Sequence, residues 1–275
     1  VQVTAPKKKR SRVFFRVRVS ILLVILAFVA LWAWRDFRSR RERNTWQRPL
    51  SVAVVLVRLG PIDEVATAAF RARVAALDER LAAERRRYGR DAPRPFMLTF
   101  VGPVDDPTPP PQPAGEGVID AAKQSWALSR WTSRIDRAAG LDASSYDSRV
   151  YVAARAPKSE EHAMVEGNSE QGGRVGAVEV ELDASMVDFA LLVAAHELFH
   201  TLGASDEYDA AGRTLIPGGL AEPDKVPLYP QGYTEIMARN RVVSPGVEVP
   251  PQSLDELAVG PDTAREIGWL KTPGR

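Results

Sequence analysis

The sequence predicts an α/β (α+β) domain: a sandwich with a mixed, mostly parallel sheet, a buried helix carrying the chemistry, an irregular C-terminal subdomain, and a transmembrane helix in front. Three observations predict this. Strand-like runs alternate with helical runs up to about residue 182, the pattern of a sheet covered by crossover helices. Met186 to Ala195 is apolar nearly all round, as in a helix running through the middle of a domain. Val19 to Trp34 holds sixteen residues with one hydroxyl and no charge, about 24 Å as a helix, and Phe14, Phe15 and Val17 extend it if Arg16 and Arg18 snorkel.

Each element has its own signal. Residues 1–18 form a basic tail, 19–34 the transmembrane signal-anchor and 35–48 a linker, with the domain occupying 49–275. Ser51–Leu59 is rich in valine and predicts a strand. Pro61-Ile62-Asp63 opens a helix with Phe70, Val74, Leu77 and Leu81 at helical spacing, its arginines from Arg71 to Arg90 forming a solvated face. Phe96–Val104 predicts a second strand, and the proline-rich Asp105–Pro113 a loop. A second helix is expected from Val118 to Ala139, with Ala122, Trp126, Trp131 and Ile135 facing inward and Gly140 ending it. Ser148–Ala156 and Arg174–Leu182 predict two more strands, joined by a polar surface loop, Lys158–Gly173. Ser185 starts the buried helix, with Asp188 in capping-box register. Leu215–Tyr233 reads as a long ordered loop, and Pro261 as the first residue of a short helix through Ile267, packed down by Leu257, Ile267 and Trp269.

Charge narrows the partners. The net charge is +2, yet residues 1–43 carry 12 Lys/Arg against 2 Asp/Glu and residues 44–275 carry 25 against 33. The folded part is acidic, so no nucleic-acid partner is expected; the basic excess flanks the apolar run and points to a membrane. The denser leading block places the N-terminus in the cytoplasm and the domain outside it, in a bacterial envelope. Secretion after signal-peptide cleavage is the rival, and no A-x-A-like site follows the apolar run. The chain has no cysteine, which excludes disulfides, thiolate metal ligands and thiol nucleophiles.

The chemistry is concentrated in one helix. The chain has three histidines, and His196 and His200 sit four apart around Glu197. Residues i and i+4 share a helix face, so both imidazoles can meet one zinc ion, with Glu197 beside it as general base. A catalytic zinc needs a third protein ligand. Asp206 is one candidate: Gly203 can turn the chain back under the helix end to deliver it. Its neighbour Glu207 is a second. Glu222 is a third, as in gluzincin-type hydrolases, although its surroundings look like loop. His162 falls in the polar loop and reads as a solvent-facing histidine, with a substrate contact as the alternative.

His196-Glu197-x-x-His200-x-x-Gly203-x-x-Asp206 resembles the extended zinc motif of the metzincin peptidases, and aspartate as third ligand resembles their snapalysin-like branch. Glu235-Ile236-Met237-Ala238-Arg239 resembles the methionine turn beneath the metal in that family. The resemblance covers about residues 185–240. It implies a zinc endopeptidase with a peptide or protein substrate, and Met237 as an apolar base under the histidines. Where several metzincins carry a tyrosine two residues after the methionine this chain has Arg239, leaving Tyr233 or Tyr208 as transition-state donor. By the same analogy, the strand near Arg174–Leu182 is the edge that aligns an extended peptide. A catalytically silent metzincin-like binding module is the alternative from another class.

Overall fold

The computed structural model describes residues 12–112, 115, 117–158, 166–169 and 172–271. The chain divides into two units, residues 1–42 and 43–275. The first is helical: α1 (Arg12–Arg43) contains the 18-residue span Phe14–Leu31, mean hydropathy 2.4, long and apolar enough to cross a membrane. A signal sequence near an N-terminus meets the same description. The helix also continues through residues 35–43, expected as linker, and its last residue, Arg43, already belongs to the second unit.

In that unit β1 (Leu50–Arg58), α2 (Glu64–Arg87), β2 (Phe96–Asp105), α3 (Val118–Ala139), β3 (Ser148–Arg155), β4 (Glu166–Ser169), β5 (Val175–Glu181) and α4 (Val187–Thr201) follow in order. The sheet order is β2-β1-β3-β5-β4, with the first four strands parallel and β4 antiparallel to β5. Both faces of the sheet are covered, which is why Ser51–Leu59 reads as an unbroken apolar run. Val52, Val54, Leu56, Val150, Val152, Val178 and Val180 face α2, α4 and the C-terminal segment. Their neighbours Ala53, Val55, Val57, Tyr151, Ala153 and Ala177 face α3. The helix α4 therefore lies mostly inside, with Ala190, Leu191, Leu198 and Phe199 buried and His196 and His200 half-buried.

Beyond α4 come β6 (Thr234–Glu235), the hairpin β7 (Arg241–Ser244) and β8 (Val247–Val249), β9 (Leu257–Ala258) and α5 (Pro261–Glu266). The pair β6–β9 ties this irregular portion together, and Leu257, Ile267 and Trp269 pack it onto α4 and α2. Residues 215–233 carry neither helix nor strand.

Several expectations need correcting. The segment Lys158–Gly173 is not all loop: it contains β4, which takes the edge position and leaves β5 interior. Only the C-terminal half of α3 reaches the sheet, through Leu128, Trp131 and Ile135. Ala122 is exposed, and Trp126 is 63% exposed with the Arg130 guanidinium 4.8 Å from its ring centre. The arginines of α2 are not simply solvated. Arg73 pairs with Asp188, Arg80 donates to the Leu257 carbonyl at 2.8 Å, and Arg85 donates to the Trp269 carbonyl at 3.1 Å. Asp188 is thereby spent on Arg73, at 2.5 and 2.7 Å, and the expected capping box does not form. Instead the Asp183 carboxylate accepts from the Ser185 and Met186 amides just ahead of α4.

The start of the second unit is also structured. The buried Arg43 guanidinium donates to the carbonyls of Gly173 at 2.7 Å and Gly172 at 3.0 Å, and Asn44 donates to the Leu202 carbonyl at 2.9 Å. Trp46 stacks edge-on against Phe96 and Trp269. The segment 43–48, also expected as linker, is thus part of the domain.

Candidate metal centre

The last turns of α4 present His196 and His200 on one face, with ring centres 4.6 Å apart. The helix ends at Leu202, and Gly203 follows at φ +97°, a left-handed conformation that L side chains rarely adopt. That turn brings Asp206 back under the imidazoles. The three ligand atoms form a tight triangle: His196 Nε2 to His200 Nε2 is 3.0 Å, and Asp206 Oδ1 is 3.2 Å from each. Ligand atoms on a tetrahedral zinc are separated by about 3.3–3.4 Å, from bond lengths of about 2.0–2.1 Å. Among the described residues this is the group able to hold a metal ion.

The ring protons support that reading. His196 Nδ1 lies 2.9 Å from the Ile236 carbonyl and His200 Nδ1 lies 2.9 Å from the Ala204 carbonyl. A carbonyl only accepts, so each Nδ1 carries the proton and each Nε2 presents a lone pair. Two lone pairs and a carboxylate oxygen meet with only the space between them to share, an arrangement that repels itself unless a proton or a cation sits there. With a proton in that space an imidazole donates to the carboxylate, and the titrations shift accordingly. Burial works against the Asp206 carboxylate, yet hydrogen bonds from His196 and His200 hold its pKa far below the usual carboxylate range. Burial likewise works against protonated His200, but Asp206, the Ala204 carbonyl and the charge of Glu197 raise it.

The other candidates fall into place around this triangle. Glu197 is buried on α4, and β5 meets it at Gly176. A Cβ there would lie 3.0 Å from Glu197 Cβ and 3.2 Å from its carbonyl oxygen. Glu207 points away toward Gly218, and its pKa is pushed up to about 7 by burial and by Glu235, Glu266, Asp262 and Asp206. Glu222 accepts from the Gly232 amide at 2.8 Å within its own loop and is not in the ligand group. Met237 is fully buried in the core beside α4. Tyr208 stacks on His196 with ring centres 6.3 Å apart, and its pKa is pushed up to about 12 by burial, then by the charge and hydrogen bond of Asp206. Tyr233, by contrast, lies under the Arg80 guanidinium, 5.3 Å from its ring centre. His162 lies outside the described residues.

Three parts of the centre escaped the sequence reading. Glu235 is buried and accepts from the amides of Met237 at 2.6 Å, Ala238 at 3.1 Å and Gly260 at 2.9 Å; burial nevertheless raises its pKa. The Ile236 carbonyl orients His196. Gly176 admits α4 to the sheet, and its only sequence signal was a glycine inside a strand. Arg239 lies over the Tyr208 ring at 5.5 Å, so the position two residues after the methionine contacts the site through that tyrosine.

No protein-family model and no curated protein sequence matches the chain.

Proposed function

We propose that the domain is a metzincin-like zinc endopeptidase, held at a membrane by α1 as an uncleaved signal-anchor with the domain outside the cytoplasm. The observation that carries the reading is the convergence of His196 Nε2, His200 Nε2 and Asp206 Oδ1, with both Nδ1 protons committed to main-chain carbonyls. Two neutral nitrogens and one carboxylate oxygen suit zinc, and three protein ligands leave a position for water or substrate. Zinc, when bound, would acidify a water molecule and polarise the scissile carbonyl.

The chain's own groups supply the rest. Glu197, one residue from His196 and shielded by β5, is the base that takes the water's proton and returns it to the leaving amine. The phenol of Tyr208 is the donor best placed to stabilise charge developing on the carbonyl oxygen, being in contact with both His196 and Asp206. The strand β4, last in the sheet order, antiparallel to β5 and packed near α4, is the edge along which an extended peptide would align.

The test is metal content and digestion of a peptide library by wild type, Glu197→Gln and Asp206→Ala. Glu197→Gln should keep its metal and lose cleavage, whereas Asp206→Ala should lose both. Wild-type protein that binds zinc but cleaves no peptide would favour a binding module instead. Metal retained in Asp206→Ala but lost in Glu222→Ala would return the third ligand to Glu222.

A further inference from the structure

We infer that Glu235 is a positioning residue for the metal centre, acting on two of its three ligands through the turn at residues 235–238. The inference rests on the metal-site reading above and deepens it.

Glu235 is buried, and both of its carboxylate oxygens are engaged. Oε2 accepts from the Met237 and Ala238 amides, closing the turn, while Oε1 accepts from the Gly260 amide on the far side. The turn so closed offers two carbonyls to the centre. Ile236 receives the His196 Nδ1 proton at 2.9 Å, and Met237 accepts from the Glu207 amide at 3.0 Å, next to Asp206. One carboxylate therefore holds the backbone that orients the first histidine and the backbone that delivers the aspartate. The second histidine is independent, being oriented by Ala204 from its own helix end.

The turn has a further anchor, since the Ile236 amide donates to the Ala258 carbonyl at 2.9 Å through β6–β9. That bond sets where the turn lies. The carboxylate sets its shape, because only an acceptor can face three amide donors. A glutamine at 235 keeps one acceptor and turns an NH2 toward either the Met237–Ala238 pair or Gly260, placing donor against donor. Loss of a partner that orients a metal-binding histidine lowers metal affinity by roughly 10- to 100-fold.

The experiment is a competition titration of Zn2+ against a chromophoric chelator, run on full-length protein alongside thermal unfolding. Glu235→Gln should bind zinc roughly 10- to 100-fold more weakly than wild type while remaining folded. Glu84→Gln is the comparison. Glu84 is a buried glutamate that holds the same C-terminal segment, accepting from the Val259 amide at 2.9 Å, but its partners lie outside the turn. It should lower the melting temperature and leave zinc affinity at the wild-type value. A second route to the same carboxylate is Gly260→Ala, whose φ of −74° suits alanine but whose Cβ would come 2.8 Å from Glu235 Cγ and 3.0 Å from the Leu220 carbonyl oxygen. It should weaken zinc binding in the same direction.

Wild-type zinc affinity in folded Glu235→Gln or Gly260→Ala overturns the inference, as does an equal loss in Glu84→Gln. Failure of both turn variants to fold would make Glu235 a residue of the fold alone and also overturns it. If wild type takes up no zinc, the metal-site reading is what has failed.

Discussion

Gly176→Ala puts the approach of α4 to the sheet to the test. The added Cβ would lie 3.0 Å from Glu197 Cβ, 3.2 Å from Glu197 O and 3.4 Å from Glu197 C. Carbon atoms prefer separations of about 3.5–4.0 Å, so the helix and strand must part by roughly 0.5–1 Å. Neither yields easily. The strand β5 is hydrogen-bonded to β3 on one side and β4 on the other, and α4 is packed between the sheet, α2 and the C-terminal segment. Overpacking of this kind costs about 1–3 kcal/mol of stability. The displacement falls on the proposed base, and a misplacement of about 1 Å costs up to roughly 100-fold in rate, so turnover should drop by about 10- to 100-fold. Metal content should persist, because the added Cβ meets only Glu197 and each imidazole keeps its hydrogen bond to the Ile236 or Ala204 carbonyl. The assay combines urea unfolding, bound zinc and cleavage of a fluorogenic peptide chosen from the library digest. Gly60→Ala is the control, with nothing within 4 Å of its Cβ. Wild-type stability together with wild-type turnover in Gly176→Ala would refute the close-approach argument.

Three other perturbations separate neighbouring roles. Tyr208→Phe should lower turnover by roughly 100-fold with metal content intact, the usual cost of losing one transition-state donor, while Tyr233→Phe should change neither; the reverse pattern would move the donor to Tyr233. Arg43→Ala should destabilise the domain by about 1.5–3 kcal/mol, the worth of hydrogen bonds from a charged donor, since it strips partners from the Gly172 and Gly173 carbonyls. Urea unfolding checks this, and an unchanged midpoint would show that the segment only rests on the domain. Asp188 is mostly buried, and although burial opposes it, Arg73 and the Leu254 amide hold its pKa below the ordinary value. A depressed folded pKa contributes stability above the unfolded value of about 4 and loses it as pH falls through the folded one. The stability gap between wild type and Asp188→Asn should therefore be constant near neutrality and close below about pH 4, measured by denaturation at stepped pH; a gap independent of pH would remove the ion pair from the account.

Much of the fold was legible because its signals are local or periodic. The strands at 51–59, 96–104, 148–156 and 174–182 were readable from β-branched runs, and the inward residues of α2 from their spacing. Where the reading failed, a competing partner lay far away in the chain. Asp188 had capping-box spacing but meets Arg73, 115 residues earlier, in a two-bond pair stronger than a cap. Trp126 sat on the apolar stripe of α3, yet the sheet ends before reaching it, and the ring stays exposed beneath Arg130. The edge strand was missed because β4 has only four residues inside a polar stretch, too few for a periodicity to register.

The sequence by itself determined which side chains could meet an ion. A helix repeats every 3.6 residues, so His196 and His200 must share a face with Glu197 beside them, and a glycine at 203 permits the reversal that Asp206 needs. Tertiary structure alone decided that Asp206 Oδ1 arrives at the two Nε2 atoms while Glu207 turns away and Glu222 stays in its own loop. It also decided which nitrogen of His196 is free, through a carbonyl forty residues downstream, and which buried carboxylate shapes the turn offering that carbonyl. The division has a physical cause. Helical phase and glycine's freedom act within one turn of chain, whereas a lone pair is aimed by whatever the packed core places on the other side of the ring.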